Sequence, residues 1–364
     1  MDEHTYWSRY ARRRTRRSFL AGTVGLAGTL GLAGLAAACG SGANKPHSSA
    51  TASTEQAGAP PGPPAKLTVS VGAADPAYAP IYFAKLGGIF QRNGLDVNIQ
   101  VIPGPQALAA LVSGQIQIAT AGAGETLSAA VGGADLAIVA SPNPTFGGYL
   151  YATPSIKTPA DLKGKKAGIT SPGGTYDTLM RASLPKMGLE PDKDVTFIST
   201  GSITNDLAAL LENAVQVAPS AIGPNSIKLE QAGCHAIYDP AGIPFAAAST
   251  VMKRSWIASN RAVAQRYVDS IVEAIAREKK DKTFALQSMQ DFLQTSDQQV
   301  LNVTYDFYVQ DKITAPLPFP KAELYSIQLE QIAKQNAAAK GFDLNKIVDA
   351  EFVQSAADRH LDKG

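Results

Sequence analysis

From residue 66 onward this 364-residue chain repeats one unit: a short β-rich run, a loop of small residues, then a helical stretch. Residues 67–71, 97–101, 116–120 and 136–140 read as strands, with helices at 79–86, at 125–131 and in a stretch ending near Ser113-Gly114. After Thr153 the unit restarts, with strands at 167–170, 195–199, 215–218 and 236–238 and helices at 175–187, 203–213 and 225–232. Strands that alternate with helices of this length predict parallel sheets covered on both faces. Two such sets predict an α/β protein of two lobes. Residues 262–280, 288–293, 298–308 and 321–339 read as further helices, expected to pack on one lobe.

The front of the chain has a different character. Arg16-Arg17-Ser18-Phe19-Leu20 is a basic head that looks like a twin-arginine export signal, and it leads into 20 uncharged residues, 19–38. Ala36-Ala37-Ala38 before Cys39 resembles a lipobox, in which the cysteine is acylated and becomes the new N-terminus. Its Leu35 sits one place early. A permanent membrane span is the other reading of this tract. Its length suffices, but its Gly, Ala and Thr content gives weak insertion. Residues 1–38 are therefore expected to be a lipoprotein signal and Cys39 the lipidation site.

Residues 39–65 are expected to form a disordered tether. Of these 27 residues, 21 are Gly, Ala, Ser, Thr or Pro, too few apolar groups to offset the entropy of ordering. Six of the 33 Lys and Arg precede Cys39, as do two of the 31 Asp and Glu. The remainder holds 27 basic and 29 acidic residues, a net charge of −2. Nothing in that balance suggests a basic surface for nucleic acid. Cys234 is the one cysteine besides Cys39 and is expected to be a buried small apolar residue.

In an open α/β sheet, ligands sit beyond the C-terminal strand ends, where loops enter helices. Ser171-Pro172-Gly173-Gly174-Thr175 holds such a place, and Thr175 is positioned as an N-cap. Ser171, Gly173, Gly174 and Thr175 are candidates to hold a polar or anionic ligand head through backbone N–H groups and the helix dipole. A well-made helix start with no ligand explains the same residues. Ala121-Gly122-Ala123-Gly124 is the matching loop of the first lobe, with Gly122, Gly124 and Glu125 as candidates. A first-turn acid beside the dipole equally accounts for Glu125. Tyr78 with its neighbour Ala79, Tyr149 after Phe146-Gly147-Gly148, and Ser220 after the 215–218 strand complete the candidate set. No Arg or Lys lies inside these loops, which points to a monoanionic or neutral, aromatic or heterocyclic solute.

Catalytic motifs are missing from the sequence. The four histidines, His4, His47, His235 and His360, form no HExxH pattern, and there is no GxSxG elbow or GxxxxGK[ST] loop. No metal site or cofactor is expected.

Several motifs together carry a family resemblance. Tyr78-Ala79-Pro80-Ile81-Tyr82-Phe83-Ala84-Lys85-Leu86-Gly87-Gly88-Ile89-Phe90, then Gly94-Leu95-Asp96-Val97, is similar to the N-terminal motif of the sulfonate, nitrate, taurine and thiamine-pyrimidine binding family of ABC-importer components. Residues 107–114, Ile116-Gln117-Ile118-Ala119 and Asp161-Leu162-Lys163-Gly164-Lys165-Lys166 resemble it too. The resemblance implies a two-lobe type II periplasmic-binding-protein fold with an interlobe ligand cleft and a hinge. Lobe I would hold 66–152 plus 245–364, and lobe II 153–244. It further implies a monomeric, extracytoplasmic, lipid-anchored solute-binding protein that is not an enzyme. Such a protein delivers a small organic or anionic nutrient to a membrane permease and its ATPase. Two other classes fit the same fold: a thiamine-pyrimidine-precursor synthase, a kind of enzyme rich in Cys near a reactive His, and a surface receptor without a transport role.

Overall fold

The computed structural model describes residues 63–364 apart from 242, 311 and 312. The export signal with Arg16-Arg17, the lipidation site Cys39 and residues 39–62 of the tether lie outside the described residues. In chain order the first set of elements is β1 (Ala65–Val71), α1 (Ala79–Leu86), α2 (Ile89–Arg92), β2 (Leu95–Val101), α3 (Gly104–Ser113), β3 (Ile118–Ala121), α4 (Ala123–Val131) and β4 (Leu136–Asn143). The second set is β5 (Gly148–Ala152), β6 (Lys165–Ile169), α5 (Thr175–Ser183), β7 (Val195–Ser199), α6 (Ile203–Leu211), β8 (Val217–Ala221), α7 (Pro224–Gln231) and β9 (His235–Tyr238). Strand β10 (Ala248–Lys253) then precedes α8 (Arg254–Lys280), α9 (Lys282–Leu293), α10 (Gln298–Tyr305), α11 (Ser326–Gln335) and α12 (Glu351–Asp358).

The strands form two five-stranded sheets, ordered β2-β1-β3-β10-β4 and β7-β6-β8-β5-β9. In the first, β1 runs parallel to β2 and β3, and β10 runs antiparallel to β3 and β4. In the second, β6 runs parallel to β7 and β8, and β5 runs antiparallel to β8 and β9. The chain therefore crosses between sheets twice, after β4 and after β9.

Sequence explains the placement of individual strands. β2 alternates buried and exposed residues along Leu95–Val101, as a half-covered edge strand must, whereas every residue of β4 is buried. Leu108, Leu111, Leu127, Ile138 and Val251 pack together on the first sheet, and Leu150, Leu162, Leu179, Met180 and Val217 on the second. Cys234 is buried in a third cluster with Tyr151 and Leu229.

Several boundaries differ from the sequence reading. β1 starts at Ala65, inside the stretch read as tether, because Ala65 pairs with Leu95. Residues 148–152 belong to the second sheet, not the first: Gly148 pairs with Ala221, and a Cβ on Gly148 would lie 2.1 Å from the Ser220 carbonyl oxygen. Phe245 likewise packs in the core of the second sheet. The helix expected over 175–187 ends at Ser183 and continues as a 3₁₀ turn, Leu184–Met187, because Pro185 has no N–H for the α-helical ladder. Strand β10 and helix α12 were not expected at all.

The C-terminal helices do not confine themselves to one lobe. Tyr325 bonds to Ser141 and Ser249 of the first sheet, while Ile327, two residues on, packs against the core of the second. Helix α11 touches both α4 and α5. An apolar stripe on a helix buries against whatever apolar surface it meets, and here both sheets present one.

Candidate functional site

Loops from both sheets and the C-terminal segment enclose a cavity of about 80 Å³. The first loop follows β1. Asp75 is extended, its Oδ1 accepts the Ala77 N–H at 2.9 Å, and Pro76 starts a 3₁₀ turn that ends at Tyr78. Asn143, at the end of β4, donates from Nδ2 to the Ala77 carbonyl at 2.8 Å and fixes this turn against the first sheet. Asp75, Tyr78 and Asn143 all line the cavity.

The second and third loops meet each other. Glu125 lies in the first turn of α4, and Thr175 opens α5. Thr175 donates its backbone N–H to Glu125 Oε1 at 3.4 Å and its hydroxyl to Oε2 at 3.3 Å. Glycine makes this approach possible. A Cβ on Gly122 would stand 1.7 Å from Thr175 Oγ1, and one on Gly124 would stand 2.0 Å from the Gly173 carbonyl oxygen. The structure is thus a closed arrangement in which the two sheets' loops touch directly.

Aromatic side chains form the walls. Phe146 and Tyr176 pack edge-to-face, with ring centroids 5.8 Å apart. Tyr308 comes from a π-helical turn, Asp306–Gln310, and its hydroxyl donates to the Gly147 carbonyl at 2.8 Å. A Cβ on Gly147 would lie 2.6 Å from the Tyr308 ring. With Tyr78, these rings line the same cavity as the carboxyls of Asp75 and Glu125.

The electrostatics are one-sided. Burial pushes the Asp75 carboxyl up to about 6, against the hydrogen bond from Ala77. Burial also raises Glu125, although the bonds from its own backbone and from Thr175 pull the other way. Burial first, then the neighbouring carboxylates, hold Tyr78 and Tyr176 well above the ordinary phenol range. No Lys or Arg is among the lining residues. Two hydroxyls that line the cavity, Thr120 Oγ1 and Ser171 Oγ, have no hydrogen-bond partner in the protein.

The family model described as NMT1/THI5 like matches residues 75–277, more than half of the chain, and the match opens on Asp75. The chain belongs to the NMT1/THI5-like family. It is similar to YtlA of Bacillus subtilis, named as a binding protein: 23% identity over 294 residues, covering 76% of this chain and 85% of that one. Among solved structures it resembles the alkanesulfonate-binding protein SsuA from Xanthomonas axonopodis bound to MOPS, with 20% identity and a TM-score of 0.65 over 79% of this chain and 99% of that one. It also resembles the periplasmic nitrate-binding protein NrtA from Synechocystis, with 17% identity and a TM-score of 0.63 over 81% and 89%. Two mixed sheets with helices, in this strand order, are the periplasmic-binding-protein fold.

Within this NMT1/THI5-like fold the sequence candidates divide. Tyr78, Gly122, Glu125, Ser171 and Thr175 line the cavity. Ala79, Gly124, Tyr149, Gly173, Gly174 and Ser220 do not. Ala79 is buried in the first turn of α1. Gly124, Gly173 and Gly174 form the contact between loops, with Gly173 at its outer edge beside Ser128. Tyr149 packs on Phe307 and Tyr151, against the Cys234 cluster on the sheet face opposite Leu150. Ser220 is buried in β8, one residue before the cavity-lining Ala221.

Sequence reasoning missed Asp75, Thr120, Asn143, Phe146 as a wall, Tyr176 and Tyr308. Asp75 had a signal, since an Asp before Pro-Ala is a helix-start cap. Tyr308 had none, because it reaches the cavity through tertiary packing alone. Among the described residues no group of three or more His, Cys, Asp or Glu is placed to hold a metal ion, and no helix is long and apolar enough to cross a membrane.

Proposed function

We propose that this protein is the extracytoplasmic solute-binding component of an ABC importer. The observation that carries the reading is the cavity closed between loops of two separate sheets, Glu125 on one and Thr175 on the other, in a member of the NMT1/THI5-like family. A ligand that touches both sheets favours the closed form by its differential contacts, and a permease can recognise that form. Residues 66–147 with the return strand would act as one lobe and 148–245 as the other, with the crossovers after β4 and β9 as the hinge.

The export-type head and Cys39 support a body held by lipid at the outer face of a membrane. The names of similar proteins, which bind alkanesulfonate or nitrate, support a small solute as the cargo.

Two experiments test this. Mass spectrometry of a denatured extract of the natively purified protein is expected to release one small solute that restores a raised melting temperature on addition. At 100 times its dissociation constant the gain is about 2.7 kcal/mol. Cys39→Ser is expected to move the protein from the membrane fraction to the soluble one. Absence of any bound or binding solute would reject the reading.

A further inference from the structure

The charge of the cavity sets it apart from an anion cradle. Four helix starts converge on it: Gly104 of α3, Gly122 before α4, Thr175 of α5, and Ser202 and Ile203 of α6. Such ends attract anions. Here, however, one of those positions is already taken by the protein. Glu125 sits in the first turn of α4 and receives the Thr175 N–H and hydroxyl at the start of α5. A second carboxyl, Asp75, caps its own turn through Ala77. A helix end carries about half a unit charge, and a carboxylate carries a whole one. With two carboxyls among the lining residues and no Lys or Arg there, an incoming anion finds no cationic clamp and would lie beside any carboxyl that is ionised.

The remaining lining favours the opposite charge. Tyr78, Phe146, Tyr176 and Tyr308 supply ring surfaces, whose negative π-faces attract cations and stack on planar ones. Thr120 is 3% exposed, lines the cavity, and its hydroxyl has no partner in the protein. The Ser171 hydroxyl is also without one. Buried polar groups are normally satisfied, so both oxygens point to a ligand that hydrogen-bonds here. Desolvation that disfavours two charged carboxyls is offset when a cation enters between them.

We propose that the cavity binds a small planar cation rich in N–H donors, an amidinium or guanidinium, with Glu125 and Asp75 as its acceptors and the aromatic rings as its walls. This rests on the solute-binding reading and replaces the monoanionic or neutral ligand expected from the loops alone. No charged donor was visible in the sequence loops, but neither was the placement of Asp75 and Glu125 in one cavity.

The test is calorimetry and thermal shift on the full chain at fixed ionic strength. The probes are acetamidine, methylguanidine and benzamidine against methanesulfonate, nitrate and cytosine. At least one of the three cations is expected to bind and raise the melting temperature, and the anions are expected to leave it unchanged. Glu125→Gln keeps the shape and an oxygen for the Thr175 N–H but gives up the acceptor for the Thr175 hydroxyl. It is expected to weaken cation binding at least tenfold, beyond the roughly fivefold that loss of that one bond explains, while its unliganded melting temperature stays near wild type. Asp75→Asn is the second variant, expected to weaken it in the same direction. If methanesulfonate, nitrate or cytosine binds and no cation does, the charge assignment is wrong and the solute-binding reading survives. If cations bind equally to wild type and to both variants, the carboxyl acceptors are wrong. If no probe binds and the native extract holds no solute, the solute-binding reading itself fails, and the cation assignment with it.

Discussion

Thr175 donates both its backbone N–H and its hydroxyl to the carboxylate of Glu125, 50 residues earlier in the chain and anchored to the other sheet. This pair joins the two sides of the cavity directly. Thr175→Val removes the hydroxyl bond and keeps the side chain's shape. One such bond contributes about 1 kcal/mol, so solute affinity is expected to fall roughly fivefold. Calorimetry with the solute that co-purifies with wild type measures this, and unchanged affinity would mean that the contact does not hold the closed form.

Gly124→Ala separates closure from folding. Alanine is the better helix former by about 1 kcal/mol, so α4 itself gains. The added Cβ, however, would stand 2.0 Å from the Gly173 carbonyl oxygen in the closed arrangement. The variant is expected to melt near wild type but to bind the co-purifying solute at least tenfold more weakly. Small-angle scattering should show no contraction on adding it. A variant that contracts as wild type does would remove the steric argument.

Glu278 predicts a pH dependence of stability. It is 0% exposed, neither carboxyl oxygen has a partner, and burial raises its carboxyl from 4.5 to about 8. Between those two values the folded protein keeps a proton that the unfolded chain has released. The folded state binds more protons, so stability falls as pH rises through that window, by at most about 1.4 kcal/mol per pH unit for one group. Asp206, raised to about 7 by burial, adds the same sign over a lower window. Urea unfolding from pH 5 to 8 should show the decline, and Glu278→Gln should flatten it. A Glu278→Gln curve parallel to wild type would exclude this residue as the source.

Asp177 holds the loop that leads to Ser171. It is buried, accepts the Gly173 N–H at 2.6 Å, and pairs with Arg181, whose Nε lies 2.6 Å from its Oδ1. Arg181 also bonds Asp192 and lies over the Phe197 ring. Asp177→Ala is expected to destabilise by about 2 kcal/mol in denaturant unfolding, because it leaves the Arg181 Nε–H and the Gly173 amide without their acceptor while Arg181 keeps Asp192. A loss below about 1 kcal/mol would show that Arg181 finds other acceptors.

Tyr325 tests the role of the C-terminal segment. Its buried hydroxyl bridges Ser141 Oγ at 2.5 Å and Ser249 Oγ at 2.8 Å, on the adjacent strands β4 and β10. Tyr325→Phe leaves both serines without that partner and is expected to lower stability by about 2 kcal/mol in the same assay. No measurable loss would mean that the serines find new partners.

The alternation of strand and helix was legible in the sequence because it depends on local periodicity: residues 195–199 and 79–86 were read with the bounds the structure gives them. The glycine loops at 122–124 and 171–175 were legible as helix starts for the same reason. Which sheet a strand joins was not. Residues 148–152 follow the first set in the chain but pair with β8, since hydrogen-bond partners are chosen in space and not by sequence order. The cavity divides the same way. Local chemistry singled out Glu125 and Thr175 one at a time, and their bond to each other required the two sheets to close. Asp75, Tyr176 and Tyr308 come from stretches more than 100 residues apart at the extremes, and only packing brings them to one wall. Short-range pattern thus determined the elements, whereas the cavity's shape and charge were decided by long-range contacts, in which any one residue's partner is set by all the others.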